Sequence, residues 1–306
     1  MPARPTRKQV AVWSAVLTVF GLLVWASLPK SPVEPEWKGK TLSEWLNSAG
    51  FSGSYFHRST GESGEAFEAI RVMGTNCLPW LLARLSPFEQ PGRIQVWLDE
   101  IAYKMAENGT RVPWMSAETR QIRRRGQALE AFSVLGRLGE PALPDLEAGL
   151  FMRNLKLDGR ASAQALAGIS ERGVLLLLTA VTIANATVRQ NAICGLAQPV
   201  ALNEQALAAL QNAVRDGDAG VRAHAAVSFG SYTNDSPVVV PALAKLLSDM
   251  NKTVRRASAY ALASYKADIT TAIPALEIAA RDSDELIRSS AEGALDAARK
   301  YSRAAP

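Results

Sequence analysis

Four arginines recur every 33 residues: Arg189, Arg222, Arg255 and Arg288, each preceded by a branched aliphatic residue, Val188, Val221, Val254 and Ile287. Asp216, Asp249 and Asp282 lie six residues before three of these arginines, and Pro241 and Pro274 lie nineteen residues after two of them. A period of this length restricts the chain to one supersecondary unit stacked on copies of itself, because a unit so short cannot bury its apolar face alone.

The cleanest unit runs from Asn251 to Arg281. Val254, Ala257, Ala261, Leu262 and Tyr265 fall at helical i, i+3, i+4 spacing with no Gly or Pro between them, which predicts a first helix, A. Asp268 to Thr271 supplies turn and cap chemistry, and Pro274 suits the first turn of a second helix, B, continued by Ala275, Leu276, Ile278 and Ala280. Upstream, Val221 to Phe229, a loop over Thr233-Asn-Asp-Ser-Pro, and Val240 to Leu247 repeat the plan.

On Asp-x5-Arg at 216/222, 249/255 and 282/288, with Val-Pro-Ala-Leu at 240–243 and Ile-Pro-Ala-Leu at 273–276, the chain resembles the HEAT repeats, in the short bacterial form also called phycobilisome-lyase-type or HEAT-like. The resemblance implies an all-α, right-handed α-solenoid. It also implies that Asp216, Arg222, Asp249, Arg255, Asp282, Arg288 and Arg189 form a hydrogen-bonded ladder between neighbouring units rather than a site, and that B helices line the concave side. Within those helices Leu210, Leu243, Leu276, Val214, Leu247 and Ala280 read as core. Gln211, Arg215, Ala244, Ser248, Glu277 and Arg281 are left as an outward, mixed-charge stripe suited equally to a modest polar protein contact or to none.

Earlier units are worn but legible. Arg125, Phe132 and Pro144 reproduce the offsets of Arg222, Phe229 and Pro241, so 123–151 reads as a repeat. Gly74 and Pro79 copy the spacing of Gly139 and Pro144, making 60–87 the first unit and 88–122 an insertion. In the insertion, Ile94, Trp97, Leu98, Ile101 and Met105 form an apolar helix face expected to cover the flank of the array, with a partner-binding groove as the alternative. Residues 158–184 read as a degraded unit with Gly173 at the inter-helix turn, and 185–214 lacks the ladder acid because Ile183 stands in its place. The expectation is about six helix pairs over 60–301, closed by a helix at 284–301 and a tail at 302–306, as a curved rod roughly 50–60 Å long.

No charge occurs between Lys8 and Lys30. Gln9 to Leu28 is a stretch of twenty residues rich in Val, Leu, Ala and Phe, with Trp13 and Trp25 near its ends, and suits the ~30 Å hydrocarbon core of a bilayer. It reads as a transmembrane anchor. Arg4, Arg7 and Lys8 precede it in an all-basic leader, 1–8, whereas Lys30, Lys38 and Lys40 are offset by Glu34 and Glu36, a bias that keeps the N-terminus cytoplasmic and exports the repeats. The alternative is a signal peptide cleaved after Ala26, where Val24 and Ala26 offer small residues. Over 29–59 a Pro-rich linker is followed by Trp37-Lys-Gly-Lys-Thr-Leu-Ser-Glu-Trp-Leu46, similar to the segment that opens many exported HEAT-repeat proteins. Thr41 or Ser43 would cap a short helix there, burying Leu42, Trp45 and Leu46.

Chemistry is sparse. Formal net charge is +5, but with the three leader cations set aside 31 basic residues face 29 acidic ones, which argues against a nucleic-acid partner. The local exception is Arg120, Arg123, Arg124 and Arg125, a solvated helix start or a site for phosphate, lipid headgroups or an acidic partner. Cys77 and Cys194 read as small core residues, and His57 and His224 as surface ones. There is no His-Glu-x-x-His, paired Cys-x-x-Cys, phosphate loop or Gly-x-Ser-x-Gly elbow, so neither metal, cofactor nor small-molecule substrate is expected. The resulting expectation is a membrane-tethered scaffold, extracytoplasmic, that binds a protein and catalyses nothing. The rivals are a lyase or DNA-glycosylase-type enzyme built on similar repeats, and a purely structural subunit of an envelope complex.

Overall fold

The computed structural model describes residues 32–48, 63–88, 96–101, 104, 116–198, 201 and 203–304. Contacts group Glu34–Pro306 as one unit apart from Met1–Val33. The apolar segment 9–28, the cleavage position at Ala26 and His57 lie outside the described residues, and so do Ile94 and Met105. No described helix is long and apolar enough to cross a membrane.

The unit opens with a small cap. Strands β1 (Glu36–Trp37) and β2 (Lys40–Thr41) pair antiparallel through a turn in which Lys38 and Gly39 both take positive φ, the conformation that matches the twist of a tight hairpin. Helix α1 (Leu42–Ser48) follows. Its start is a reciprocal capping box: the Thr41 N–H donates to Glu44 Oε2 at 2.7 Å, and the Glu44 N–H donates to Thr41 Oγ1 at 3.4 Å. Leu42, Trp45 and Leu46 are buried, and the Trp45 indole N–H donates to the Trp37 carbonyl at 3.1 Å.

Six helix pairs follow among the described residues: α2 (Ser63–Met73) with α3 (Leu78–Ala83), α4 (Ala117–Leu135) with α5 (Leu143–Leu150), α6 (Gly159–Ile169) with α7 (Glu171–Ala180), α8 (Ala186–Leu196) with α9 (Glu204–Ala213), α10 (Ala219–Phe229) with α11 (Ser236–Leu246), and α12 (Lys252–Leu262) with α13 (Ile273–Ala279). A last helix, α14 (Glu285–Ala304), takes the A position of a seventh. Each A helix packs on the A helix before it and on the B helix between them, the arrangement of a helical solenoid. Between them run the periodic aliphatics: Val188, Val221, Val254 and Ile287 are buried, beside alanines small enough to let A helices approach, such as Ala225, Ala226 and Ala259. The position of buried Ala259 is taken in α14 by exposed Glu292, giving the closing helix a polar outer face.

The caps are periodic too. Asn185, Asp218, Asn251 and Asp284 precede α8, α10, α12 and α14, and each side chain accepts backbone N–H groups of the first turn. They satisfy donors that a helix start leaves unpaired.

Several expectations are corrected. Gly173 is not at the inter-helix turn: it lies inside the first turn of α7, and a Cβ there would stand 2.0 Å from the Leu166 carbonyl oxygen, so glycine is needed for close approach. The left-handed partner of Gly74 (φ +54°) is Gly136 (φ +52°) and not Gly139, because the 3-10 segment after α4 is longer than the one after α2. α4 begins at Ala117, inside the expected insertion, with Ser116 as its cap. α12 stops at Leu262, and the stretch Ala263–Ala272, read as helix end and turn, is 3-10, which still buries Tyr265. α11 starts at Ser236, leaving Pro241 in its interior on an exposed face where water can reach the unpaired carbonyl. In the insertion Trp97 is 59% exposed while Leu98 and Ile101 are half-buried.

Candidate protein-binding surfaces

The ladder residues come together as one repeated geometry. Arg222 donates Nε and Nη2 to the Asp249 carboxylate at 2.8 and 3.0 Å, and its Nη1 to the carbonyls of Asp216 and Gly217 at 2.8 and 3.2 Å. Arg189 grips Asp216, and Arg255 grips Asp282, in the same bidentate way. Each acid also accepts the N–H of the helix cap two residues on, as Asp249 does from Asn251 at 2.8 Å. An acid's side chain is thus held by the preceding repeat and its carbonyl by its own repeat's arginine, which couples consecutive loops through the main chain. The hydrogen bonds from Arg222 hold the Asp249 carboxyl below the usual carboxylate range despite burial, and those from Arg255 and the Asp284 N–H bring Asp282 down to about 2. Arg288 keeps the carbonyl contacts, to Asp282 and Ser283, without a carboxylate among the described residues. Gln190 adds a rung to Asp218 at 2.9 Å that the sequence reading did not anticipate.

The B-helix stripe is mostly solvated. Arg215, Ser248, Glu277 and Arg281 are exposed, whereas Gln211 and Ala244 are half-buried. Arg215 and Ser248 border a pocket of about 470 Å³ beside the ladder, together with Val214, Lys245 and Met250.

A larger concavity, about 770 Å³, lies on the A helices instead. Residues from four consecutive A helices line it: Arg160 and Gln164 of α6, Cys194 of α8, His224 and Val227 of α10, and Thr253 and Ala257 of α12, with Gln198, Ser231 and Thr233 on the loops that follow. Cys194 was expected to be core, and Val227 and Tyr260 stand one and two periods on from it. Val227 and Tyr260 are 51% and 67% exposed, and Cys194 alone is covered, at the groove floor. His224 is half-buried and its Nδ1 lies 2.8 Å from the Gly220 carbonyl oxygen, which leaves Nε2 as the ring nitrogen available to a ligand. Burial pushes the Cys77 thiol up to about 12 and raises that of Cys194, so neither is an activated nucleophile. Among the described residues no cluster of three His, Cys, Asp or Glu could hold a metal.

The arginine group at the start of α4 separates into different roles. Arg125 is half-buried: it donates to the Ser86 carbonyl at 2.6 Å, lies 3.5 Å from Asp158 and stacks on Phe88. It plays the ladder part with substitute partners. Arg123 donates to Asn47 at 3.1 Å, Arg120 is half-buried and Arg124 is exposed.

Residues 207–296 match the family of HEAT repeats. No curated protein matches the chain. Among solved structures, a designed armadillo repeat protein in complex with the peptide (KR)4 aligns with a TM-score of 0.40 and 17% identity, over 60% of this chain and 95% of that one. A second designed armadillo repeat protein gives 0.40 and 20%, over 72% and 99%. Human deoxyhypusine hydroxylase in complex with glycerol gives 0.37 and 19%, over 85% and 96%.

Proposed function

We propose that the chain is a membrane-tethered helical-repeat scaffold that binds a segment of another protein along its A helices, outside the cytoplasm, and carries out no reaction. The observation that carries this reading is the groove of about 770 Å³ to which four consecutive A helices contribute. Its lining alternates apolar Val227 and Ala257 with donors and acceptors on Gln164, Gln198, His224 and Thr253, the mixture an extended peptide needs to bury side chains while keeping its backbone satisfied. Stacked repeats present long surfaces of this kind. The tether reading is supported by the uncharged stretch from Gln9 to Leu28 behind three basic residues.

Photo-crosslinking in cells tests the groove. A photoreactive residue at Val227 should give a discrete protein adduct and one at Glu277, on the B-helix stripe, should not; no adduct at Val227, or equal adducts at both, rejects the assignment. A reporter fused after Pro306 should behave as exported. A cytoplasmic reporter would overturn the location, and a soluble chain beginning at Ser27 would replace the tether by cleavage.

A further inference from the structure

We propose that the segment held in the A-helix groove carries an acidic side chain, gripped by Arg160 and Gln164 at the α6 end, and an apolar side chain about five or six residues away, seated on Val227 and Ala257. The inference deepens the groove reading and rests on it. Among the described residues that line the groove, Arg160 is the one with a fixed charge, and no carboxylate accompanies it.

A cation in that position works against its own helix. Arg160 is the second residue of α6, whose first turn lies at the positive end of the helix dipole and holds no acidic residue. The cap acid just before it, Asp158, is engaged elsewhere: its side chain accepts the Ala161 N–H at 2.8 Å and lies 3.5 Å from the Arg125 guanidinium. Arg160 is exposed and has no ion pair or hydrogen bond of its own among the described residues. Two residues past the later caps Asn185, Asp218 and Asn251 stand Thr187, Gly220 and Thr253, so the stacking of units does not call for arginine there. A local conflict that stacking does not require is what a binding site keeps.

Gln164 stands one turn further along the same face of α6, half-buried and likewise without a hydrogen-bond partner among the described residues. A guanidinium beside an amide offers a group of donors that a carboxylate accepts, and the fixed charge repels lysine or arginine. Towards α10 and α12 the lining turns apolar, with Val227 51% exposed over buried Ala257. Neighbouring packed helices stand about 8–10 Å apart, which puts α6 and α10 about 16–20 Å apart, the length of five or six residues of extended chain at ~3.3 Å each.

The test pans the full chain in detergent micelles against a displayed library of random peptides about twelve residues long, more than the eight or nine that cross four helices. Clones that crosslink to a photoreactive residue at Val227 are the groove binders, and they should share Asp or Glu about five or six residues from Leu, Ile, Val or Phe. A synthetic copy, amidated at its C-terminus, should lose about tenfold in affinity when that acid becomes its amide, about tenfold against Arg160→Gln, and little more when both changes are combined, because one contact has been removed twice. Panning on Arg160→Glu should select Lys or Arg instead; glutamate suits the first turn of a helix, so this variant keeps its fold. Groove binders that lack the acid, an acid whose loss multiplies with Arg160→Gln, or an unchanged selection on Arg160→Glu overturns this inference and leaves the groove reading standing. A library that yields no adduct at Val227 overturns the groove reading itself, and this inference with it.

Discussion

Tyr265 donates its hydroxyl hydrogen to the Phe229 carbonyl of the preceding repeat, thirty-six residues away, and Tyr232 does the same to Leu196 at 3.1 Å. Both tyrosines sit just past the end of an A helix, and both acceptors lie at the end of the A helix before, where carbonyls lack intrahelical partners. The array therefore has an inner rung of buried hydroxyls as well as the outer rung of ion pairs. Tyr265→Phe should cost about 1–2 kcal/mol in urea unfolding with an unchanged slope, since the hydroxyl is buried and no water replaces it. Tyr260→Phe, on a 67% exposed ring, should cost almost nothing.

The outer rung makes a matching prediction. Asp249 is 11% exposed in its side chain and receives two bonds from Arg222, so Asp249→Ala should destabilise by about 1.5–3 kcal/mol, and Glu277→Ala on the solvated stripe by much less. Equal melting temperatures for the two would remove the ladder as a source of stability. Its pH dependence follows from sign. Asp249 and Asp282 have folded pKa values below the unfolded value near ~3.9, so their stabilisation is present above pH ~4 and lost as pH falls towards about 2. The difference in melting temperature between the parent and Arg255→Gln should stay constant from neutral pH down to about 4 and then close.

How far the sequence carried depended on whether chemistry was tied to residue identity. An inter-repeat ion pair needs the same acid and the same guanidinium in every unit, so Arg222 and Asp249 announce themselves by period. The helix caps alternate Asn185, Asp218, Asn251 and Asp284, doing one job with two residue types, and the period in identity disappears. Gly173 was misplaced because a glycine that turns the chain and one that admits a neighbouring backbone look alike in sequence. The groove was missed because Cys194 and Val227 are apolar and no residue type or spacing in the sequence marks a recessed surface among consecutive A helices.

Glu130 predicts a second, opposite pH effect. Its Oε2 is buried without a hydrogen bond, and burial pushes its carboxyl up to about 7. A raised folded pKa means that the protonated form favours folding: this contribution is complete below the unfolded value near ~4.3 and is lost as pH rises through about 7. Glu130→Gln stays neutral, so it should match the parent near pH 4 and exceed it at pH 8 by about 1–2 kcal/mol, a figure reduced for the partial solvent access of the site. Parallel stability curves for the two proteins from pH 4 to 8 would refute the assignment.

Two glycines in helices should respond in opposite directions to the same substitution. At Gly173 an added methyl would stand 2.0 Å from the Leu166 carbonyl oxygen and 2.8 Å from its carbon, both backbone atoms that cannot swing aside. Relief requires moving the first turn of α7 off the end of α6, and Gly173→Ala should cost about 3 kcal/mol or more. At Gly293, inside α14, nothing beyond the helix's own adjoining backbone lies within 4 Å of the new methyl, and the backbone has no positive φ. Only the helix propensity then changes, and Gly293→Ala should stabilise by about 0.5–1 kcal/mol. Urea midpoints for the two variants, measured against the parent, should fall on either side of it. A neutral Gly173→Ala would mean that α6 and α7 are not in the close contact on which the third repeat is built.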